Sequence, residues 1–395
     1  MPKVTNIKFV DLFCGIGGFH IALSKLGAKC VLACDKDKDC RIVYKDNFNI
    51  EPHPDVTKLD PEKMPDFNVL CAGFPCQAFS NAGKKKTFDD DRGLLFDEII
   101  RIAKVKKPCF MFLENVKHIL KVGDGEVIDY ILDKLDKTGY TVQLFNMSPH
   151  EYGIPQQRER VYFVCVRNEF AKSDVTLLRD KIPLDRDSFT QFLDDVNTID
   201  PKYFIDGDVE ETLNSWEQMV KKFDVGDKIS PTIMVNEFYN TYTDDEFKNL
   251  ANWRQDYITK NKPLYKKYKT QWDEWYQKNK DIISKREIYA KLEWQVGTIK
   301  ENDSIFDYFI QLRQSGIRVK KSGYFPTLVA ISQIPIYGKE KRYITPRECL
   351  RLQSFPETYK ISDKDRITYK QAGNSVNVDN VLNVIESTFK HYNIQ

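Results

Sequence analysis

The chain has 395 residues, 41% of them hydrophobic and 30% charged, with a net charge of +2. This composition is typical of a soluble globular protein with one large domain or two, and the balanced charge neither indicates nor excludes a nucleic-acid partner. No apolar run is long enough to cross a membrane and the first residues lack signal-peptide features, so we expect a cytoplasmic protein with no membrane partner. Nine cysteines without metal-ligand spacing predict reduced thiols and no bound metal.

Residues 1–170 alternate apolar runs with helical patterns. Apolar residues spaced three and four apart predict helices in GFHIALSKLG and VIDYILDKLDKTG. Apolar runs predict strands in IKFVDLF, KCVLAC, FNVLCA, PCFMFLE, TVQLFNM and RVYFVCV. This alternation predicts an α/β fold with a doubly wound, mostly parallel sheet that is covered on both faces.

A glycine turn, Gly15–Gly18, follows the first predicted strand. Parallel sheets bind nucleotide-like ligands at this position, although the spacing is not the dinucleotide fingerprint and a purely structural turn is equally compatible with it. Asp35 favours the ligand site, because an acid at the end of the second strand accepts both ribose hydroxyls. Asp55 and Val56 lie where a third strand would end, either against an adenine edge or as part of an ordinary turn.

A cysteine lies at the tip of the loop GFPCQAFS, directly after a predicted strand. Glu114 ends the next strand, so Cys76 and Glu114 are expected to face one crevice at the edge of the sheet. A cysteine protease would use histidine as its base, and none of the histidines is a convincing partner. A thiol with a carboxyl group fits attack on an electron-poor ring whose nitrogen is held by the acid.

Two further sets of polar residues are candidates for the same site. Arg158 and Arg160 alternate at the start of a strand and therefore point to one face, where they suit a phosphate, a carboxylate or a structural ion pair. Asn374 and Ser375 follow a glycine and precede the last predicted helix, where packing explains small polar groups poorly.

Residues 205–300 are polar, lysine-rich and aromatic-rich, and the α/β alternation is lost there. The stretch YITKNKPLYKKYKTQWDEWYQKNK interleaves lysines with aromatic rings. It is compatible with a nucleic-acid surface, but the pattern favours solvated helices whose rings pack inward.

The whole series resembles the DNA (cytosine-5) methyltransferases, of the bacterial or phage restriction-modification type. The motifs DLFCGIGG, GFPCQAFS, ENV, QQRER, TPRECLRLQSFP and QAGNSV stand in the family's order. Only residues 185–325 lack the resemblance, and in this family that region holds the variable target recognition domain. The resemblance implies the S-adenosylmethionine-dependent methyltransferase fold with a second, smaller recognition domain.

The resemblance also implies S-adenosyl-L-methionine as cofactor. Asp35 would bind its ribose, and Lys36 takes the position where many members carry an aromatic residue that stacks on adenine. The implied cofactor residues are Phe13, Cys14, Gly15, Ile16, Gly17, Gly18, Asp35, Lys36, Asp55, Val56, Pro75, Leu95, Asn374 and Ser375.

The implied reaction begins with addition of the Cys76 thiolate to C6 of a cytosine flipped out of double-stranded DNA. Glu114 would bind N3 and the exocyclic amine, Arg160 would hold O2, and Gln156 and Arg158 would order the loop beneath. The implied DNA contacts are Gln77, Ser80, Lys84, Arg92, Thr327 and Leu328.

We expect residues 1–185 to form the catalytic and cofactor domain and residues 186–345 the recognition domain. Residues 346–373 would be a hinge, and residues 374–395 a helix that returns to the first domain. The expected protein is monomeric and binds no metal, and the sequence alone does not decide whether a cognate restriction endonuclease accompanies it.

Two other functions use the same features. A tRNA cytosine-5 methyltransferase shares the fold but carries a Cys-Phe-Thr signature that the sequence lacks. A catalytically inactive DNA-binding regulator would lose the nucleophile or the acid, and both are present.

Overall fold

The computed structural model describes residues 6–75, 94–184, 188–229, 232–321, 323–330 and 333–394. The strands are β1 (Lys8–Leu12), β2 (Lys29–Cys34), β3 (Val69–Gly73), β4 (Phe110–Val116), β5 (Tyr140–Met147), β6 (Arg160–Arg167), β7 (Thr232–Met234), β8 (Lys291–Gln295), β9 (Phe309–Arg313), β10 (Gly316–Lys320), β11 (Ile336–Tyr337) and β12 (Arg342–Tyr343). The helices are α1 (Gly18–Lys25), α2 (Lys38–Phe48), α3 (Leu94–Lys106), α4 (Glu126–Lys137), α5 (Gly207–Val220), α6 (Asn236–Tyr239), α7 (Asp244–Asn249), α8 (Asn252–Lys267), α9 (Lys269–Ser284), α10 (Pro346–Leu352), α11 (Asp365–Asn374) and α12 (Val378–His391).

The chain divides into two compact units. The first comprises Met1–Asp185, Val329–Ile331 and Cys349–Gln395, and the second comprises Arg186–Leu328 and Ser332–Glu348. The expected hinge, residues 346–373, contains α10 and most of α11, and its part from Cys349 onward belongs to the first unit. The last helix begins at Val378, because the side chain of Asn377 caps it by accepting a hydrogen bond from the backbone N–H of Asn380.

The first unit contains a six-stranded sheet in the order β2-β1-β3-β4-β6-β5. Strands β2, β1, β3 and β4 are parallel, and β6 is antiparallel to both of its neighbours. All six predicted strands are present, and the α/β, mostly parallel sheet is confirmed. The runs in β1, β3 and β4 are buried along almost their whole length, which is typical of strands covered on both faces.

Helix α4 shows how a helix covers this sheet. Its buried residues Val127, Ile131 and Leu135 recur every four positions, and they pack in the same apolar cluster as β3, β4 and β6. Lysines in its last turn complement the partial negative charge of the helix end. The apolar residues whose spacing predicts this helix are therefore the ones that it buries against the sheet.

The second unit contains another six-stranded sheet, in the order β12-β11-β9-β10-β8-β7. Strands β8 and β10 are parallel and the other neighbours are antiparallel. Helices α5 and α9 supply three buried tryptophans of its core, of which Trp216 and Trp272 are fully buried.

The lysine-rich stretch has the inward-packing arrangement that its pattern favours. Tyr268, Trp272 and Trp275 are buried, whereas Lys267 and Lys269 are exposed and form ion pairs with aspartates. Helix α9 contains three lysines and three acidic residues, so it carries no net charge. Among the described residues, no helix has the length and hydropathy needed to cross a membrane.

Candidate active site

The glycine turn lies between β1 and α1 and has left-handed backbone geometry. Gly15 has φ +52° and Gly17 has φ +82°. A Cβ on Gly17 would lie 2.3 Å from Cε2 of Phe48, and one on Gly18 would lie 2.5 Å from Cγ2 of Val376. Both distances are too short for a side chain, so these two glycines are required by close packing beneath the turn.

Asp35 is tied directly to this turn. Its Oδ2 accepts a hydrogen bond of 2.7 Å from the backbone N–H of Gly15, and its Oδ1 accepts one of 2.8 Å from that of Asp37. Burial raises the pKa of Asp35, and the two backbone donors oppose that shift. Each carboxylate oxygen has a second lone pair, so the fixed carboxylate remains able to accept ribose hydroxyls.

The side chain of Asp55 forms hydrogen bonds of an ordinary turn, which is one of the two roles that its position in the sequence allows. Its Oδ1 accepts hydrogen bonds from the backbone N–H and the hydroxyl of Thr57, at 2.9 and 2.7 Å. Val56 beside it is buried. The bonds to Thr57, and then the charges of Lys58 and Lys36, lower the pKa of Asp55. The exposed side chain of Lys36 therefore acts on Asp55 electrostatically, at the same end of the sheet as Asp35.

Asn374 and Ser375 lie on the other side of the turn. Ser375 is buried, and its hydroxyl lies 3.4 Å from the position that a Cβ on Gly18 would take. Asn374 is exposed at the end of α11. Leu95, in α3, is partly buried against the core cluster of the sheet, and Pro75 follows β3. The turn, Asp35 and Ser375 thus surround one end of the sheet.

Glu114 lies near the end of β4, where it pairs in register with Gly73 of β3 and Tyr162 of β6. It is buried, with 8% exposure, and its Oε1 lies 3.0 Å from Nε of Arg160. The two atoms are within ion-pair distance but are not aligned as a hydrogen bond. Burial raises the pKa of Glu114, and the charges of Arg160 and Arg158 only partly oppose the rise.

The two arginines have different partners. Arg160 is paired with Glu114, which is the ion-pair alternative among the roles expected for this arginine. Arg158 is buried, and its Nη2 donates to the backbone carbonyls of Gly373 and Ser375 at 3.1 and 2.7 Å. Burial lowers the pKa of Arg158 to about 9, which leaves it protonated at neutral pH. Arg158 thus links the strand of Arg160 to the segment of Ser375.

Gln156 and Asn115 are buried residues of the same region. Gln156 is fully buried, and its amide donates a long hydrogen bond of 3.4 Å to the carbonyl of Leu352. Asn115 follows Glu114, and its amide donates to the carbonyl of Phe74 at 2.9 Å. Asn115 was not among the predicted site residues, although a buried polar residue inside an apolar strand is a recognisable signal.

Several predicted site residues lie outside the described residues: Cys76, Gln77, Ser80, Lys84 and Arg92. The nearest described residues, Phe74 and Pro75, follow β3 directly. Thr327 and Leu328 belong to the second unit, where Thr327 is partly exposed and Leu328 is buried. The eight cysteines within the described residues are free thiols, and these residues contain no cluster of side chains suited to a metal ion.

The family model of the C-5 cytosine-specific DNA methylases matches residues 7–390. The chain belongs to this family. It is 30% identical over 392 residues to the type II methyltransferase M.HhaI of Haemophilus parahaemolyticus, covering 99% of this chain and 95% of the relative. It is 31% identical over 387 residues to M.HaeII of Haemophilus aegyptius, covering 98% and 94%. The chain is therefore a DNA (cytosine-5)-methyltransferase of the restriction-modification type.

Solved structures agree on the fold of the methyltransferase. The Dnmt2 methyltransferase of S. pombe superposes with a TM-score of 0.59 at 17% identity, covering 98% of this chain and all of that one. A putative DNA modification methyltransferase encoded within an E. coli prophage gives a TM-score of 0.60 at 19% identity, with the same coverage. At such identities the likeness shows the fold alone.

Arg158→Met is expected to lower both the stability of the methyltransferase and its affinity for S-adenosylhomocysteine, the demethylated form of the cofactor that members of this family use. The change leaves two buried carbonyls without their donor, which costs about 2–5 kcal/mol of unfolding free energy. Arg167→Met is the control, because Arg167 donates to the carbonyl of Lys107 at the other end of β6. Chemical denaturation measures the free energy of unfolding, and calorimetry measures the affinity for S-adenosylhomocysteine. Equal affinity in the two variants would contradict an effect of Arg158 on ligand binding.

Proposed function

We propose that the methyltransferase uses S-adenosyl-L-methionine to methylate C5 of a cytosine flipped out of a specific sequence in double-stranded DNA. The observation that carries the proposal is the buried Glu114–Arg160 pair, next to the end of β3 that leads into the Cys76 loop. A buried acid with a raised pKa beside a cation can hold a polar ring edge and exclude water from it.

The cofactor would lie over the glycine turn. Apart from its chain neighbours, no described residue has an atom within 4 Å of the position that a Cβ on Gly15 would take, so the space beside this residue is open, and Asp35 offers two fixed acceptors for ribose hydroxyls. Asp11 beneath it is fully buried, and neither of its carboxylate oxygens has a well-aligned hydrogen bond within the described part of the chain. These features fit a polar ligand with a ribose and a charged tail. When bound, S-adenosylmethionine supplies the electrophilic methyl group that C5 receives.

The protein residues would prepare cytosine, which is too weak a nucleophile at C5. The thiolate of Cys76 forms a bond to C6, and the ring electrons move toward C5 and N3. In its protonated form, which burial favours by raising the pKa, Glu114 would donate a hydrogen bond to N3 and accept one from the exocyclic amine. Arg160 would bind O2, and its positive charge would offset the negative charge that develops on the ring. After methylation a base removes the C5 proton, and the C6–S bond breaks to release Cys76.

The remaining residues would support this chemistry. Asn115 fixes the carbonyl of Phe74, two residues before Cys76. Arg158 joins the segment that leads into β6 to the backbone at Ser375. This link would hold the distance between the cytosine-binding residues and the cofactor-binding residues constant. Gln77, Ser80, Lys84 and Arg92 would contact the DNA from the loop, and Thr327 and Leu328 from the second unit.

The second unit would select the DNA sequence. It is compact by itself, has its own sheet and aromatic core, and contains no member of the thiol, acid and glycine-turn set. The full-length relatives are type II methyltransferases, which supports an accompanying restriction endonuclease. Sequencing 5-methylcytosine in the genome of an expressing strain tests the proposal, and methylation at no defined motif would contradict it.

Exchange of the second unit is expected to change the methylated sequence without changing the reaction. The segment between Arg186 and Thr327 would be replaced by that of a family member with a different recognition sequence. Genome methylation maps of strains with either protein give the result. An active chimera that still methylates the original motif would show that recognition resides in the first unit.

A further inference from the structure

A buried hydrogen bond in the first unit joins the glycine turn to a residue more than 300 positions later. The hydroxyl of Tyr359 donates a hydrogen bond of 2.5 Å to the carbonyl of Ile16, which lies between Gly15 and Gly17 in the turn. Tyr359 is 4% exposed and Ile16 is 2% exposed, so the bond is shielded from water. A buried carbonyl within a loop needs such a donor, because water cannot supply one.

The segment that carries Tyr359 is itself anchored to α2. The backbone N–H of Lys360 donates to the side-chain carbonyl of Asn47 at 2.8 Å, and the amide of Asn47 donates back to the carbonyl of Lys360 at 2.9 Å. Two opposed bonds between one side chain and one residue fix both position and orientation. The bonds between Asn47 and Lys360 therefore hold the backbone next to Tyr359 in place beneath the turn.

The turn is packed from below by rings of the same region. Phe48 contacts Gly17 so closely that no side chain fits there, and its ring lies against those of His20 and Tyr359. On the neighbouring side Val376 contacts Gly18. The left-handed turn therefore rests on a layer of side chains, and within it Tyr359 donates the hydrogen bond to the Ile16 carbonyl.

We infer that Tyr359 is a positioning residue for cofactor binding: its hydroxyl holds the Ile16 carbonyl and so keeps the glycine turn in the geometry that receives S-adenosylmethionine. The inference rests on the proposed function, because it assumes that the cofactor lies on this turn. Tyr359 lies beneath the turn and would touch neither cofactor nor DNA. Its loss should weaken cofactor binding and leave the chemical step nearly unchanged.

Tyr359→Phe removes only the hydroxyl and keeps the ring. We expect the Kd for S-adenosylhomocysteine and the KM for S-adenosylmethionine to rise about tenfold, the value of one lost buried hydrogen bond, with kcat changed less than about twofold. Hydrogen exchange of the peptide covering residues 13–20 should become faster in the protein without ligand. Calorimetry, steady-state kinetics and exchange mass spectrometry measure these effects.

Tyr140→Phe is the matched control. Tyr140 is also buried in the first unit, and its hydroxyl donates to the backbone carbonyl of Pro108 at 2.8 Å, away from the turn. The control should lose similar stability but keep the Kd and the exchange of residues 13–20. Equal affinity in the Tyr359→Phe variant and the unaltered protein, or an equal loss in both variants, would overturn the inference. If the unaltered protein bound no S-adenosylhomocysteine at all, the proposed cofactor itself would be wrong.

Discussion

Cys76→Ser is expected to abolish methylation and to leave binding of DNA and S-adenosylhomocysteine intact. A serine hydroxyl is far less acidic than a thiol and is a much weaker nucleophile at neutral pH, so addition to C6 should fail. The loss of kcat should exceed about three powers of ten, which corresponds to roughly 4 kcal/mol of barrier. Methylation at a near-normal rate would remove Cys76 from its proposed role.

A trapped adduct gives the sharper readout. Elimination requires loss of the C5 hydrogen, and fluorine at C5 cannot leave as a cation. DNA with 5-fluorocytosine at the target should therefore stay bonded to the enzyme after methylation, as a band that survives denaturing electrophoresis. The band should need S-adenosylmethionine and should be absent from the Cys76→Ser variant.

The location and substrate of the adduct separate the remaining alternatives. Peptide mapping should place the nucleotide on Cys76 and on none of the other eight cysteines. Cys71 and Cys165 serve as internal controls, because both are fully buried in the sheet and burial raises the pKa of each thiol. An adduct with fluorinated tRNA and none with duplex DNA would favour RNA as the substrate.

The sheet of the first unit was predictable because its strands are covered on both faces. Such strands must be almost wholly apolar, and the resulting runs stand out in the sequence. The glycine turn was predictable for a related reason, because close packing beneath it tolerates no side chain at Gly17 or Gly18. A prediction from sequence succeeds at such positions because a single local requirement, burial on both faces or the absence of a side chain, determines which residue is present.

The second sheet was missed because its strands are short and half polar. β8, β9 and β10 alternate apolar and polar residues in LEW, IQL and IRV, and β11 and β12 have two residues each. Even in β8 and β10 the alternation spans only five residues, which is close to the shortest pattern that indicates a strand. The surrounding lysines and aromatic rings indicate helices more strongly, and they do form α8 and α9.

The partners of the two arginines depend on tertiary structure. Their alternate positions predict that Arg158 and Arg160 point to one face, but no local pattern indicates that one pairs with Glu114 and the other with the carbonyls of Gly373 and Ser375. The contacts of Tyr359 and Asn115 are non-local in the same way. Each bond joins segments that are distant in sequence, so no local pattern marks it.

Glu114→Gln is expected to lower the methylation rate by about two powers of ten near neutral pH, with a loss that depends on pH. Glutamine keeps the shape and can donate to N3, but it lacks the acidic proton that strengthens this bond as sulfur adds. Because burial raises the pKa of Glu114, the native side chain holds its proton to a higher pH than an ordinary glutamate. The variant has no group that titrates at this position.

The sign of the pH dependence distinguishes the two possible roles of the acid. If neutral Glu114 donates to N3, its advantage is complete below the raised pKa and is lost as the pH rises through it. The ratio of the native rate to that of Glu114→Gln should therefore fall with increasing pH. Thiolate formation at Cys76 raises both rates with pH, and the ratio removes the part of this dependence that the two proteins share. Single-turnover rates from about pH 5 to 9 measure it, since that range brackets the pKa values reached by buried glutamates. A ratio that rises with pH would instead show that the ionised carboxylate is the active form. Glu114 would then accept a hydrogen bond from the exocyclic amine, and another group would protonate N3.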